Sequence, residues 1–157
     1  MTVAADASRE AEIWRLLAEV HDPELPVVSV VDLGIIRHVR WPGPGGPSIG
    51  ITPTYCGCPA TEAIRAAVQS KLAAAGIRDA RIETVLSPPW SSAWLTPAAH
   101  RALKAHGIAP PQPGAAVRCP RCDSDATELV SEFGATPCQA HYRCTACLEP
   151  FGRFKCT

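Results

Sequence analysis

Two Cys-x-x-Cys pairs, Cys119-Pro120-Arg121-Cys122 and Cys144-Thr145-Ala146-Cys147, stand 21 residues apart and leave few folds open to the segment that holds them. Each pair makes a tight turn offering two thiolates, and a hairpin between them brings both turns to one tetrahedral metal. The spacing predicts a zinc ribbon with Cys119, Cys122, Cys144 and Cys147 as ligands, iron in the same four sulfurs being the competing metal. A segment of about fifty residues buries too little apolar surface to fold unaided, so the metal contributes folding energy directly. With four protein ligands the site is closed, and its metal is expected to be structural rather than catalytic. Stretches 127–133 and 139–143, on either side of Gly134, are the hairpin strands. Cys138 and Cys156 remain. In a register where paired residue numbers sum to 294 they lie opposite each other, which predicts reduced thiols packed together.

The ribbon is preceded by a proline-rich stretch, 108–116, containing Pro110, Pro111 and Pro113. It reads as a stiff linker, dividing the chain into a first domain over 1–107 and a ribbon over 117–157. Charge excludes one class of partner: 15 basic and 15 acidic residues cancel overall, ten and ten before position 108 and five and five after it. No basic field invites nucleic acid. No apolar run approaches the roughly 18 residues of a membrane span, and MTVAADASRE lacks the basic and apolar regions of a signal peptide, which places the protein in the cytoplasm. In that reducing compartment eight cysteines are metal ligands or reactive thiols rather than a disulfide framework.

The first domain reads as α-β-β-α-β. Ile13, Leu16, Leu17 and Val20 recur at helical spacing in a helix that runs from Ser8 to the His21-Asp22-Pro23 stop. Residues 35–41 form a strand with Ile35, Val39 and Trp41 on one face. A breaker cluster, Pro42-Gly43-Pro44-Gly45-Gly46-Pro47, turns the chain into a second strand over 48–52. Ile64, Val68 and Leu72 then define a helix stopped by Gly76, and a strand over 80–86 follows. A further helix is expected at 97–106, capped by Thr96 with Pro97 in its first turn. Trp90 and Trp94, just before it, are expected to seal a core edge.

The second strand and the central helix meet at Tyr55-Cys56-Gly57-Cys58-Pro59. Gly57 frees the backbone for a sharp turn, Cys58 falls at the N-cap and Pro59 at the first helical position. A thiol there faces unpaired N–H groups and the positive end of the helix dipole, which favour the thiolate that binds metal or attacks; a small buried cysteine filling a corner is the alternative. Cys56 adds a Cys-x-Cys pair able to chelate a soft metal. Asp22, Glu24 and Asp32 bracket the first long turn, where they either form Asx hydrogen bonds or support the thiol corner. None of His38, His100, His106 and His141 pairs with another histidine at ligand spacing. No Ser-His-Asp or phosphate-loop pattern is present.

Taken together, Asp22-Pro23-Glu24-Leu25-Pro26, Asp32-Leu33-Gly34-Ile35-Ile36 and Gly57-Cys58-Pro59-Ala60 resemble the iron-sulfur cluster assembly domain family that includes SufT and the metal-sulfur cluster biosynthesis proteins. This likeness covers residues 8–90. Pro88-Pro89-Trp90, Gly107-Ile108-Ala109-Pro110-Pro111, Cys119-Pro120-Arg121-Cys122, Ser131-Glu132-Phe133-Gly134 and Glu149-Pro150-Phe151 extend it across nearly the whole chain, to phenylacetyl-CoA epoxidase accessory subunits of the PaaD type, also called PaaJ. The resemblance implies an α/β fold, a small iron-sulfur-assembly-like domain followed by a zinc ribbon. It also implies a role in aerobic phenylacetate breakdown, maturing or assembling an epoxidase with a di-iron oxygenase subunit and a flavin and [2Fe-2S] reductase subunit. The family's reactive cysteine falls on Cys58 and its turn acids on Asp22 and Asp32. Serine is usual where this chain has Cys56.

These readings predict a maturation factor without catalytic activity of its own. Cys58, with Cys56 or with the same thiol of a second copy, transiently holds iron or an iron-sulfur cluster for the oxygenase or reductase component, and the ribbon docks a partner. One copy offers at most two nearby thiolates where clusters usually take four, so a labile cluster would bridge two chains. A structural subunit of the epoxidase and a thiol-disulfide oxidoreductase using Cys56 and Cys58 are the alternatives.

Overall fold

The computed structural model describes residues 2–55 and 57–155; Cys56 and Cys156 lie outside the described residues. Contacts divide the chain into two compact units, one ending at Trp90 and the other beginning at Ser91. Among the described residues no helix is long and apolar enough to cross a membrane.

Unit 1 follows the expected α-β-β-α-β order: α1 (Thr2–Leu17), β1 (Ile36–Arg40), β2 (Ser48–Ile51), α2 (Ala60–Ala74) and β3 (Arg81–Thr84). The alanines at 4, 5 and 7 carry α1 further back than the apolar periodicity alone indicates. α1 ends at Leu17, and Val20 N–H bonds Leu17 O in a tightened last turn. The sheet order is β1-β2-β3, β1 and β2 antiparallel, β2 and β3 parallel with α2 as the crossover. Ile13, Leu17, Leu33, Ile49, Ile51, Val68 and Leu72 are fully buried between these elements.

Three local features depart from the periodicity. A bulge between Ile36 and His38 places Ile36 opposite Ile51 and Val39 opposite Ile49, so Ile36 shares a face with Val39, while Ile35 is buried just ahead of the strand. Every residue of β2 is buried: Ile49 and Ile51 face the core, His38 and Val85 close over Gly50, and Ser48 donates to Glu83. The helix proper begins at Ala60 with Pro59 as its cap, one residue later than the expected cap at Cys58, although Cys58 O still accepts Thr61 N–H. At the other end Gly76 takes φ +86°, Gly76 N–H bonds Ala73 O and Ile77 N–H bonds Leu72 O, the Schellman arrangement its position predicts. Trp90 is buried and donates from Nε1 to Leu33 O at 2.9 Å, closing one edge of this core.

Unit 2 opens with a 3-10 turn (Ser92–Trp94) and α3 (Pro97–Ala105), capped as expected by Thr96 Oγ1 accepting Ala99 N–H. Its sheet contains β4 (Ile108–Ala109), β5 (Thr127–Ser131), β6 (Gln139–Cys144) and β7 (Pro150–Phe154) in the order β4-β7-β6-β5. Two expectations change here. The stretch read as a linker from 108 begins as a strand, Ile108 and Ala109 pairing parallel with Gly152 and Arg153. By its contacts α3 groups with the ribbon strands, in the unit that begins at Ser91. The β6–β7 register has paired numbers summing to 293, with Tyr142 opposite Phe151 and Arg143 opposite Pro150. The turn from Cys144 to Glu149 closes one residue tighter than a sum of 294 requires, through Cys144 N–H to Glu149 O at 2.9 Å. Cys138 O accordingly accepts Lys155 N–H; Cys156, the other member of the expected thiol pair, lies outside the described residues.

Candidate metal centre and thiol corner

The two knuckles of unit 2 are built alike. In the first, Cys119 N–H bonds Ser124 O, Asp123 N–H bonds Cys119 O and Asp123 adopts φ +63°. In the second, Cys144 N–H bonds Glu149 O and Leu148 adopts φ +64°. Each turn thus spends one residue in the left-handed region immediately after its second cysteine, which swings both thiols of the pair to the same side. The four Sγ atoms lie within 4.8 Å of one another, Cys119 to Cys147 at 3.7 Å and Cys122 to Cys144 at 3.6 Å. A tetrahedron with metal–sulfur bonds of about 2.3 Å has sulfur–sulfur edges of about 3.8 Å, so the donor set fits one such ion.

The electrostatics of the cluster also favour a cation. Cys147 N–H, together with Ala146 N–H, holds the Cys144 thiol down at about 7 against desolvation. Ser124 N–H favours the Cys122 thiolate, but desolvation and the three neighbouring cysteines outweigh it and push that thiol up to about 12. Four thiolates this close repel one another, and a bound dication removes that conflict while the turn N–H groups solvate the sulfurs. Arg121 and Glu149 form an ion pair between the knuckles. Cys119 and Cys144 are buried with Phe151 and Ala109, and Val117, Tyr142 and Cys147 pack against them. The left-handed residues and the knuckle-spanning ion pair escape sequence reading. Asp123 carries a faint signal, since aspartate tolerates this conformation, whereas Leu148 carries none.

In unit 1, Cys58 is half-buried just ahead of α2. Gly57 makes the turn at φ +76°, Cys58 N–H bonds Tyr55 O, and Thr54 Oγ1 lies 3.9 Å from Sγ as a weak donor. Among the described residues Cys58 joins no group of three or more metal-ligating side chains. Asp22 and Asp32 order the turn between α1 and β1. Asp22 Oδ1 accepts Glu24 N–H at 2.7 Å and Leu25 N–H at 2.9 Å, while Asp32 Oδ2 accepts from Ser29 Oγ, which in turn accepts Asp32 N–H. Burial raises the Asp22 carboxyl above its ordinary value against these two bonds, and burial together with Asp22 raises Glu24.

Comparison with known proteins matches both units. A family model described as iron-sulfur cluster assembly protein matches residues 10–84, and one described as PaaD zinc beta ribbon domain matches 104–155. The chain is 45% identical, over 92% of its own length and 92% of the relative's, to an Escherichia coli (strain K12) protein described as a subunit of 1,2-phenylacetyl-CoA epoxidase. The chain belongs to the PaaD family. The chain is also 35% identical over 83 residues, 52% of its own length and 78% of the relative's, to an Fe-S protein maturation auxiliary factor of Porphyromonas gingivalis (strain ATCC BAA-308 / W83). The fold resembles that of the crystal structure of a domain of unknown function, DUF59, from Bacillus anthracis, with TM-score 0.61 and 28% identity over 65% of this chain and 97% of that one. PaaD membership thus joins an iron-sulfur-assembly fold carrying Cys58 to a ribbon with a four-cysteine metal-ligating cluster.

Proposed function

We propose that the protein is an accessory maturation factor of a phenylacetyl-CoA epoxidase, and that Cys58 is the thiolate that transiently holds iron or an iron-sulfur cluster on its way to a client protein. The observation that carries this reading is the placing of a half-buried thiol just ahead of α2, with no complete ligand set around it among the described residues. A site meant to release its cargo needs an incomplete protein ligand set, because a closed four-thiolate site like that of unit 2 retains its ion. The missing ligands would come from Cys56, from a second copy or from the client, the oxygenase or reductase component. The likeness to an E. coli protein described as an epoxidase component and to an Fe-S maturation factor supports this assignment. In unit 2, Cys119, Cys122, Cys144 and Cys147 would hold a structural zinc, which links both knuckles and leaves no position for a substrate.

Anaerobic incubation with iron and sulfide, read by absorption spectroscopy, tests the carrier role. The wild type should gain sulfur-to-iron charge-transfer bands that Cys58→Ala lacks while keeping its zinc. Full epoxidase activity in cells whose only copy is Cys58→Ala would reject a carrier and leave a scaffolding role.

A further inference from the structure

We propose that unit 2 carries a second binding site, independent of Cys58, for a compact organic anion bearing a carboxylate or phosphate. A cavity of about 190 Å³ lies between α3, the segment after β4 and the first knuckle. At about 30 Å³ per water it has room for about six waters, enough for one anionic group on a small apolar body and too little for a folded segment.

Its walls divide the two roles. Ala109, Pro110 and Val117 supply apolar surface, and Ala109 is itself buried in β4. Arg101, Lys104, Arg118 and Arg153 supply four cationic side chains against a single carboxylate, Asp123. These cations come from three elements: Arg101 and Lys104 stand three residues apart on α3, Arg118 precedes the first knuckle and Arg153 belongs to β7. The excess of charge is local, since the whole unit has seven basic residues against five acidic ones.

Asp123 shows how the donors converge. Lys104 Nζ lies 3.1 Å from Oδ1, and Arg118 NH1 reaches both Oδ2 at 3.5 Å and the Asp123 carbonyl at 3.1 Å. A carboxylate of the chain itself thus occupies the focus of two cations. Because the partners are more than half exposed, these pairs are weak and exchangeable, and a soluble anion can compete for them. Arg101 enters no ion pair among the described residues, which leaves it to meet an incoming ligand. The guanidinium groups suit planar, bidentate carboxylate or phosphate recognition.

The test titrates the full, zinc-loaded chain with benzoate, phenyl phosphate and neutral benzamide, read by amide chemical shifts. Saturable shifts at Lys104, Ala109 and Arg118 are expected with the two anions and not with benzamide, and the tighter anion identifies the source as a carboxylate or a phosphate. Arg101→Gln should weaken binding about 5-fold, and Asp123→Asn, which keeps a side chain tolerant of the left-handed backbone, should tighten it about 5-fold by freeing Lys104 and Arg118. If asparagine disturbs the knuckle, Arg101→Gln, on an exposed helix face, still decides. Shifts that do not saturate, that benzamide reproduces or that Arg101→Gln leaves unchanged would overturn the site.

Discussion

At the scale of single residues, two positions hold conformations or charges that their side chains do not favour. Leu148 is 70% exposed yet sits at φ +64°, so the knuckle gains no burial from its side chain while bearing its backbone cost. Leu148→Gly should therefore stabilise unit 2 by about 1 kcal/mol, the left-handed penalty less glycine's added flexibility, measured by denaturant unfolding with zinc bound. Asp22 is 6% exposed and its carboxyl lies above the ordinary value of 3.8, chiefly through burial. A raised folded value means that the folded state binds the proton more tightly. The contribution is fully present below 3.8 and is lost as pH rises through the folded value. Asp22→Asn keeps an oxygen for Glu24 and Leu25 N–H without the charge, so it should be at least as stable at pH 7 and flatten the acid limb of the stability curve. Asp22→Ala should instead lose about 1 to 3 kcal/mol by orphaning both donors. An asparagine variant markedly less stable than wild type at pH 7 would show that the ionised carboxylate itself is needed.

At the scale of elements, periodicity and punctuation were enough to read α2, the β1–β2 hairpin, the cap at Thr96 and the gathering of the four ribbon cysteines, because each rests on local chemistry. Most of what failed depended on neighbours distant in sequence. The bulge in β1 and the strand pairing of Ile108 are set by which strand lies alongside, and no local pattern encodes that, whereas the β6–β7 register turns on how tightly the Cys144–Glu149 turn closes. Around the thiol corner, sequence placed Cys58 at the start of α2 but set the cap one residue early. Gly50 shows the same limit. In sequence it is one position of the second strand, but an added Cβ would collide with the His38 ring at Cε1 and lie 2.9 Å from Val85 Cγ2. Gly50→Ala should destabilise unit 1 by about 1 to 3 kcal/mol through overpacking, and His38→Ala in the same chain should recover part of that loss. Equal unfolding midpoints for Gly50→Ala and wild type would show that the sheet absorbs the methyl group.

At the scale of the whole molecule, two compact units, with a four-cysteine group able to hold a metal in the second among the described residues, should respond differently to a chelator. Removing zinc, or substituting Cys119→Ser or Cys147→Ser, should abolish the amide dispersion of unit 2 and release about one zinc per chain while unit 1 keeps its spectrum. Loss of both sets of signals together would show that unit 1 folds only on a folded unit 2. Strand order in the ribbon adds a constraint in time. β7 comes latest in sequence but lies inside its sheet, between β4 and β6. During synthesis unit 1 can close first, whereas β4, β5 and β6 emerge with a gap where β7 belongs. Until that gap fills, the Cys119 and Cys122 pair waits on the ribosome without the completed second knuckle. Capture of the proposed metal would then wait for the second pair of thiols, and Cys119 and Cys122 would stand open to oxidants for as long as Cys144 and Cys147 are missing.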